Sequence, residues 1–173
     1  MTGNSHKQKK NFQQDLFKAS DASDDSRDQK QYAVMNCDGA SIGNPGEAGI
    51  GVVIQLSDED ARRMNLEKTY TISASIGIAT NNVAEYSALI KGLEKAKSLG
   101  LKKIKIFLDS ELLVRQLLGI YKVKNKNLIP LWTKAKNILT CFDKYTIDHV
   151  RRGKNAEADE LARQGVKKKN QGY

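Results

Sequence analysis

The apolar positions of the chain fall into short runs closed by turn residues, interleaved with longer stretches of helical spacing. The first run, Tyr32 to Cys37, stops at Asp38, and Gly39, Gly43, Pro45 and Gly46 then mark a tight loop. A short apolar run bounded by such residues predicts a largely buried strand. Ala48–Gln55 is a second β-rich run, and Leu66–Ile76 alternates in places, with Thr69, Thr71 and Ser73 set against Tyr70, Ile72 and Ala74. Ser57–Met64 between them predicts a polar hairpin. Three strands joined by short links imply an antiparallel meander. Next, Asn81 or Asn82 can cap a helix running to about Leu99 and stopped by Gly100. Lys103–Leu108 predicts a strand that runs straight into Asp109, and a strand–helix–strand connection of this length lays it parallel to a strand of the meander. Ser110–Leu118 continues as a short helix and Lys122–Asn127 as a basic loop. From Leu128 a further helix puts Leu131, Trp132, Ala135, Ile138, Leu139 and Phe142 on one stripe, which makes the single Trp a core residue before it is a base-stacking one. Lys144–Val150 predicts the last strand, and Arg151–Asn155 a basic loop whose Asn155 caps the helix Ala156–Val166.

Composition changes this picture at the ends. Residues 1–30 hold six basic and five acidic side chains in a polar background with too few apolar positions for a core, and predict a disordered tail. The folded domain is expected over 31–168, with 169–173 as a basic end. The tail carries +1 of the net +9, so the basic excess of +8 belongs to the rest and favours polyanionic partners. No apolar run approaches membrane-spanning length and the N-terminus has no apolar signal core, so a soluble, cytoplasmic, monomeric protein without membrane contact is expected. Cys37 and Cys141 lack metal-ligand spacing and sit in apolar surroundings, which predicts two free core thiols.

Four acids stand out against this framework. Asp38 alone is readable as a turn-forming residue. Glu85, however, is followed at helical spacing by Ala88, Leu89, Gly92 and Ala96, so its carboxylate shares a small, apolar face. Asp109 repeats the Asp38 pattern at a second strand end, and Asp159, with Ala162 and Val166 beyond it, repeats the Glu85 pattern in a first helical turn. Sheets of this kind gather ligands at the carboxyl ends of neighbouring parallel strands. Four carboxylates within about 5 Å of one another repel by roughly 1 to 3 kcal/mol per pair, so a fold would keep them together only around cations. Oxygen ligands without a His or Cys cluster select Mg²⁺ or Mn²⁺, and two such ions suit an in-line phosphodiester displacement.

The segments Asp38-Gly-Ala-Ser with Asn44-Pro-Gly, Thr80-Asn-Asn-Val-Ala-Glu85, Asp109-Ser-Glu-Leu-Leu-Val-Arg-Gln and His149-Val-Arg-Arg-Gly-Lys-Asn-Ala-Glu-Ala-Asp159 resemble type 1 ribonuclease H. Each motif alone is weak, but four in family order over Tyr32–Val166 are specific. The resemblance implies an α/β, ribonuclease H-like fold: a five-stranded mixed sheet, three antiparallel strands then two parallel, flanked by helices. It implies Asp38, Glu85, Asp109 and Asp159 as catalytic residues and ligands of two Mg²⁺ ions, with Mn²⁺ able to substitute. The implied reaction is endonucleolytic hydrolysis of the RNA strand of RNA/DNA hybrids to 3′-hydroxyl and 5′-phosphate ends; because the family's basic handle is missing here and the single Trp fits a core stripe, weaker cutting of double-stranded RNA is expected beside it. It further implies that Asn44, Asn81 and Asn82 meet 2′-hydroxyls in the minor groove, that Thr80 and Asn155 lie near phosphates, and that Arg152, with Arg151 and the lysines of Lys122–Lys126, adds salt-sensitive phosphate contacts.

The chain also departs from the family pattern. Many bacterial members carry a His in the loop before the last acid; here that loop, Arg151–Lys154, has none, and His149 precedes it on a strand, where a structural role is expected. The basic handle of some bacterial members is missing too, as in the compact archaeal-like branch. A nucleic-acid-binding module of the same fold with weak catalysis is the alternative reading, and another nuclease or integrase of the same broad fold fits the Thr80–Glu85 and Asn155–Asp159 segments less well.

Overall fold

A computed structural model describes residues 32–168; the predicted polar tail and basic end lie outside the described residues. The elements in chain order are β1 (Ala33–Gly43), β2 (Gly46–Gln55), α1 (Asp58–Met64), β3 (Thr69–Ala79), α2 (Asn81–Ser98), β4 (Lys103–Leu108), α3 (Glu111–Leu117), α4 (Ile129–Leu139), β5 (Lys144–His149) and α5 (Ala156–Lys167), with a single 3₁₀ turn at Arg152–Lys154. The strands form one sheet in the order β3-β2-β1-β4-β5. The first three pair antiparallel, β4 runs parallel to β1, and β5 parallel to β4. The mixed five-stranded sheet expected from the resemblance is therefore the observed one. Among the described residues no helix is long and apolar enough to cross a membrane.

Alternation along the strands decides which face is covered by what. Met35 and Cys37 of β1, Ile50, Val52 and Ile54 of β2, and Ile104, Ile106 and Leu108 of β4 are buried in one cluster with Leu89 and Leu93 of α2, Leu113 and Leu117 of α3 and Leu139 of α4. Trp132 packs against this cluster, its Nε1 donating to the Gln116 carbonyl at 3.2 Å, which settles it as a core residue. Among the described residues, α5 covers the opposite face of β1, β2 and β3. There the sheet is floored with glycine: a Cβ on Gly51 would lie 2.0 Å from the Ala158 carbonyl oxygen, and one on Gly49 2.3 Å from the Val166 nitrogen. The helix thus rests on strand backbone, a separation that only residues without a Cβ permit. Asn36 and Asp38 stand opposite Val53 and Gly51 in the β1–β2 register and so project to the same side as α5.

Several expectations are corrected. Ser57–Met64 contains a helix, α1, rather than a hairpin: Ser57 accepts the Asp60 N–H at 3.0 Å, Asp58, Glu59 and Asp60 occupy the first turn, and Arg62 and Arg63 the last. β1 does not end at Asp38 but runs on to Gly43, with Asp38 paired to Gly51 inside the sheet. Thr80, not Asn81 or Asn82, caps α2, its hydroxyl accepting the Val83 N–H at 3.4 Å. That places Glu85 beyond the first turn. Asn155 precedes α5 without a side-chain capping bond. Cys37 is buried as expected, whereas Cys141, just past α4, is exposed.

Candidate active site

The C-terminal end of β4, the second half of β1, the start of α2, the 3₁₀ turn and the C-terminal half of α5 converge on one cleft of about 630 Å³, lined by Asp38, Gly39, Ala40, Ser41, Ile42, Asn81, Glu85, Asp109, Arg152, Arg163, Val166 and Lys167. Glu85 reaches Asp38 because α2 lies directly on β1: a Cβ on Gly39 would sit 2.2 Å from the Ala84 carbonyl carbon and the Glu85 nitrogen. Asp109 follows the last residue of β4, one strand away from Asp38.

The electrostatics record how close the acids are. Asp38 is 7% exposed. Burial first, then the charges of Asp109, Asp159 and Glu85, push its carboxyl up to about 7 against a single opposing hydrogen bond from the Gly39 N–H. Burial also raises the Glu85 carboxyl. A hydrogen bond with Ser110 opposes that rise, the Asp109 charge adds to it, and Asn81 Nδ2, 2.9 Å from Oε1, opposes it again. The Cys37 thiol, on the far side of β1, is pushed well up by burial and then by Asp38, Asp109 and Glu85. Asp159 takes a different arrangement. Arg152 donates to its Oδ1 at 2.8 Å, and Arg163 stands 2.7 Å from its Oδ2, so two guanidinium groups supply its counter-charge. The Asp159 hydrogen bond in turn raises the Arg152 pKa.

As these side chains stand, no three His, Cys, Asp or Glu among the described residues are posed to hold one metal ion. The donor set nevertheless fits a hard divalent cation: it is all carboxylate oxygen, it is partly withdrawn from water, and its mutual repulsion at Asp38 is what a cation would relieve.

The remaining predicted residues are placed unevenly. Asn44 sits in the β1–β2 turn and accepts the Asn81 backbone N–H on its Oδ1 at 3.2 Å, which puts both at the cleft rim. Asn82 is exposed on the first turn of α2 and does not line the cleft. Asn155 lies deepest of the predicted residues, at 1% exposure beneath the site, with Nδ2 donating to the Cys37 carbonyl at 3.1 Å and to Asp109 Oδ1 at 3.2 Å. His149, at the end of β5, places Nε2 3.2 Å from the Asp109 carbonyl oxygen, which suits the structural role expected of it.

Residues 36–165 match the sequence profile of a family described as reverse transcriptase-like, and the solved ribonuclease H1 of Halobacterium salinarum NRC-1 superposes with a TM-score of 0.71 at 37% identity, over 79% of this chain and 98% of that one. The chain belongs to the ribonuclease H family.

Family relatives extend beyond this. A bifunctional protein, Rv2228c, of Mycobacterium tuberculosis is 39% identical over 129 residues, 75% of this chain but 34% of the relative, so the chain spans about a third of that protein's length. A ribonuclease H1 isolated from compost, LC11, solved in complex with an RNA/DNA hybrid, is 41% identical with a TM-score of 0.68 over 79% of this chain and 97% of that one. Within the family frame, sequence reasoning missed three site residues. Arg163 was readable as the residue four positions after Asp159 on one helix. Ser110 was readable as a cap and less so as a partner of Glu85. Asn36 carried only a faint signal, a polar residue inside an apolar run.

Proposed function

We propose that the chain is a metal-dependent endoribonuclease that hydrolyses the RNA strand of RNA/DNA hybrids, leaving 3′-hydroxyl and 5′-phosphate ends. The observation that carries this reading is the convergence of Asp38, Glu85 and Asp109 on one cleft, with Asp159 in electrostatic reach of Asp38. Asp38, Glu85, Asp109 and Asp159 would hold two Mg²⁺ ions, or Mn²⁺ in their place. Ions bound there lower the pKa of an attacking water and stabilise the leaving oxygen.

The chain's own groups would do the rest. Asn44 and Asn81 at the rim, with Asn82 beside them, offer amides to the 2′-hydroxyls that distinguish RNA. Thr80 presents its threonine at the same helix start, where backbone N–H groups and the helix dipole favour a phosphate. Arg152 and Arg163, which pair with Asp159 at the edge of the cleft, would supply guanidinium donors for backbone phosphates. The net charge of +9 adds a nonspecific attraction for the duplex. The hybrid seen bound to the LC11 relative supports the substrate class.

Cleavage of an end-labelled hybrid tests the reading. Mg²⁺ or Mn²⁺ should support cutting of the RNA strand, EDTA should abolish it, and Asp109→Asn should reduce it by at least about a hundredfold, as expected when a charge that stabilises the transition state is lost. Robust cutting by that variant would overturn the site, and hybrid binding without cleavage in either metal would favour a binding module instead.

A further inference from the structure

Asn36 and Asn155 form a chain of two amides behind Asp109. Asn36 Nδ2 donates to Asn155 Oδ1 at 3.1 Å. The Asn155 Nδ2 group spends its protons on the Cys37 carbonyl at 3.1 Å and on Asp109 Oδ1 at 3.2 Å. Every polar atom of the Asn155 side chain is therefore engaged, at 1% exposure, by β1 and by the residue that follows β4. The orientation of its amide is not free. Turned over, it would set Oδ1 against a carbonyl and a carboxylate, two acceptors, and Nδ2 against the Asn36 donor. Asn36 is thus the group that rewards the one orientation in which Asn155 holds Asp109.

We propose that Asn36 is a positioning residue of the site: through Asn155 it fixes the direction of the Asp109 carboxylate and ties the start of α5, which carries Asp159, to the centre of the sheet. This rests on the functional reading above and extends it to a residue that reaches neither substrate nor ion. The consequence is specific. A ligand carboxylate held by a buried hydrogen-bonded partner meets a cation already oriented, and loss of such a partner costs roughly ten- to a hundredfold in metal affinity or activity. Without Asn36, Asn155 Oδ1 is left buried without a donor and the Asn155 side chain loses one of its two ties to β1, so its hold on the Asp109 carboxylate slackens.

The test is Asn36→Leu, close in size and without the amide, in the full chain; Asn36→Thr, suited to a strand and one bond short of Asn155, serves if the leucine variant fails to fold. Three quantities are read: Mn²⁺ affinity by titration calorimetry without nucleic acid, kcat and KM on a hybrid, and melting temperature without metal. The expected result is a Mn²⁺ dissociation constant raised roughly tenfold and kcat lowered by a similar factor, with KM for the hybrid within about twofold because Asn36 lies behind the site. Mn²⁺ affinity and kcat within twofold of the wild type, with only the melting temperature lowered, would reduce Asn36 to a packing role and overturn the proposal. A raised KM with unchanged kcat would also overturn it. Failure of the wild type to bind Mn²⁺ or to cut would sink the functional reading and this proposal with it, whereas an unaltered variant of an active, metal-binding wild type sinks the relay alone.

Discussion

Asp38 carries the largest electrostatic load of any described carboxylate, and the load has a sign. In the unfolded chain an aspartate ionises near 4; in the fold, burial and three neighbouring acids hold Asp38 at about 7. Folding therefore favours its protonated form. The contribution of that form to stability is complete below about pH 4 and is lost as pH rises through about 7, a span corresponding to roughly 4 kcal/mol at most. In EDTA, Asp38→Asn should melt above the wild type at pH 8, and the gap should close as pH falls toward 4; a gap that stays constant with pH would mean that the acids do not act on Asp38 as described. All four acids stand out in the sequence because each lies where a carboxylate is out of place, ending an apolar run or sharing a helix face with alanine and glycine. The partners of those acids were not legible in the same way. Arg163 needed only helical spacing, but Asn36 and the burial of Asn155 depend on β1, β4 and α5 meeting, and no local pattern encodes a meeting of three elements. Cys141 shows the converse: apolar neighbours along the chain did not bury it, because it lies past the end of α4.

The helix α5 shows what one element can impose on a site. It bears Asp159 and Arg163, and it reaches the sheet only because Gly49 and Gly51 place no side chain under Ala158 and Ala162. Gly51→Ala puts a methyl 2.0 Å from the Ala158 carbonyl, backbone that cannot give way except by moving the helix. Overpacking of this kind costs typically 1–3 kcal/mol, so the variant should melt several degrees lower, and its cleavage rate should fall further than its stability does, since a lifted α5 withdraws Asp159 from Asp38. An unchanged rate at a temperature where the variant is fully folded would show that the seat of α5 is not what places the acid. Most elements were readable from their apolar pattern, because the long helices bury one face, β4 buries alternate residues and β2 buries a continuous run. α1 was not: seven residues give the helical period little to show, and its evidence is a Ser57 cap with acids first and basics last, a signature of charge and capping rather than of apolar spacing. The continuation of β1 past Asp38 was hidden for a related reason, since Gly39 to Gly43 pair with β2 through backbone alone.

At the scale of the whole molecule, the question is which duplex the basic surface accepts. The amides at the rim can select RNA for the cut strand, but rejection of RNA in the partner strand needs a second region that senses sugar and groove shape, and the helix-borne basic handle of some relatives has no counterpart between α3 and α4. Matched 20-mers should therefore be cut in the order RNA/DNA hybrid, then double-stranded RNA weakly, with double-stranded DNA intact. The hybrid rate at subsaturating substrate should fall steeply with salt, because phosphate contacts dominate binding. Undetectable cutting of double-stranded RNA at enzyme excess would refute the relaxed choice of partner strand, and cutting of DNA would overturn the 2′-hydroxyl argument. The glycine floor beneath α5 also divides the site along the chain. Asp38, Glu85 and Asp109 all precede α5 in sequence, and the strip of bare backbone at Gly49 and Gly51 is covered by residues of that helix. The fourth acid, both of its arginines and the Asn155 that orients Asp109 arrive together in the last stretch of the described fold, from Arg152 to Arg163. The candidate site is therefore incomplete in any piece of the chain that stops short of α5, and a chain cut before Arg152 would keep Asp38, Glu85 and Asp109 without the fourth acid.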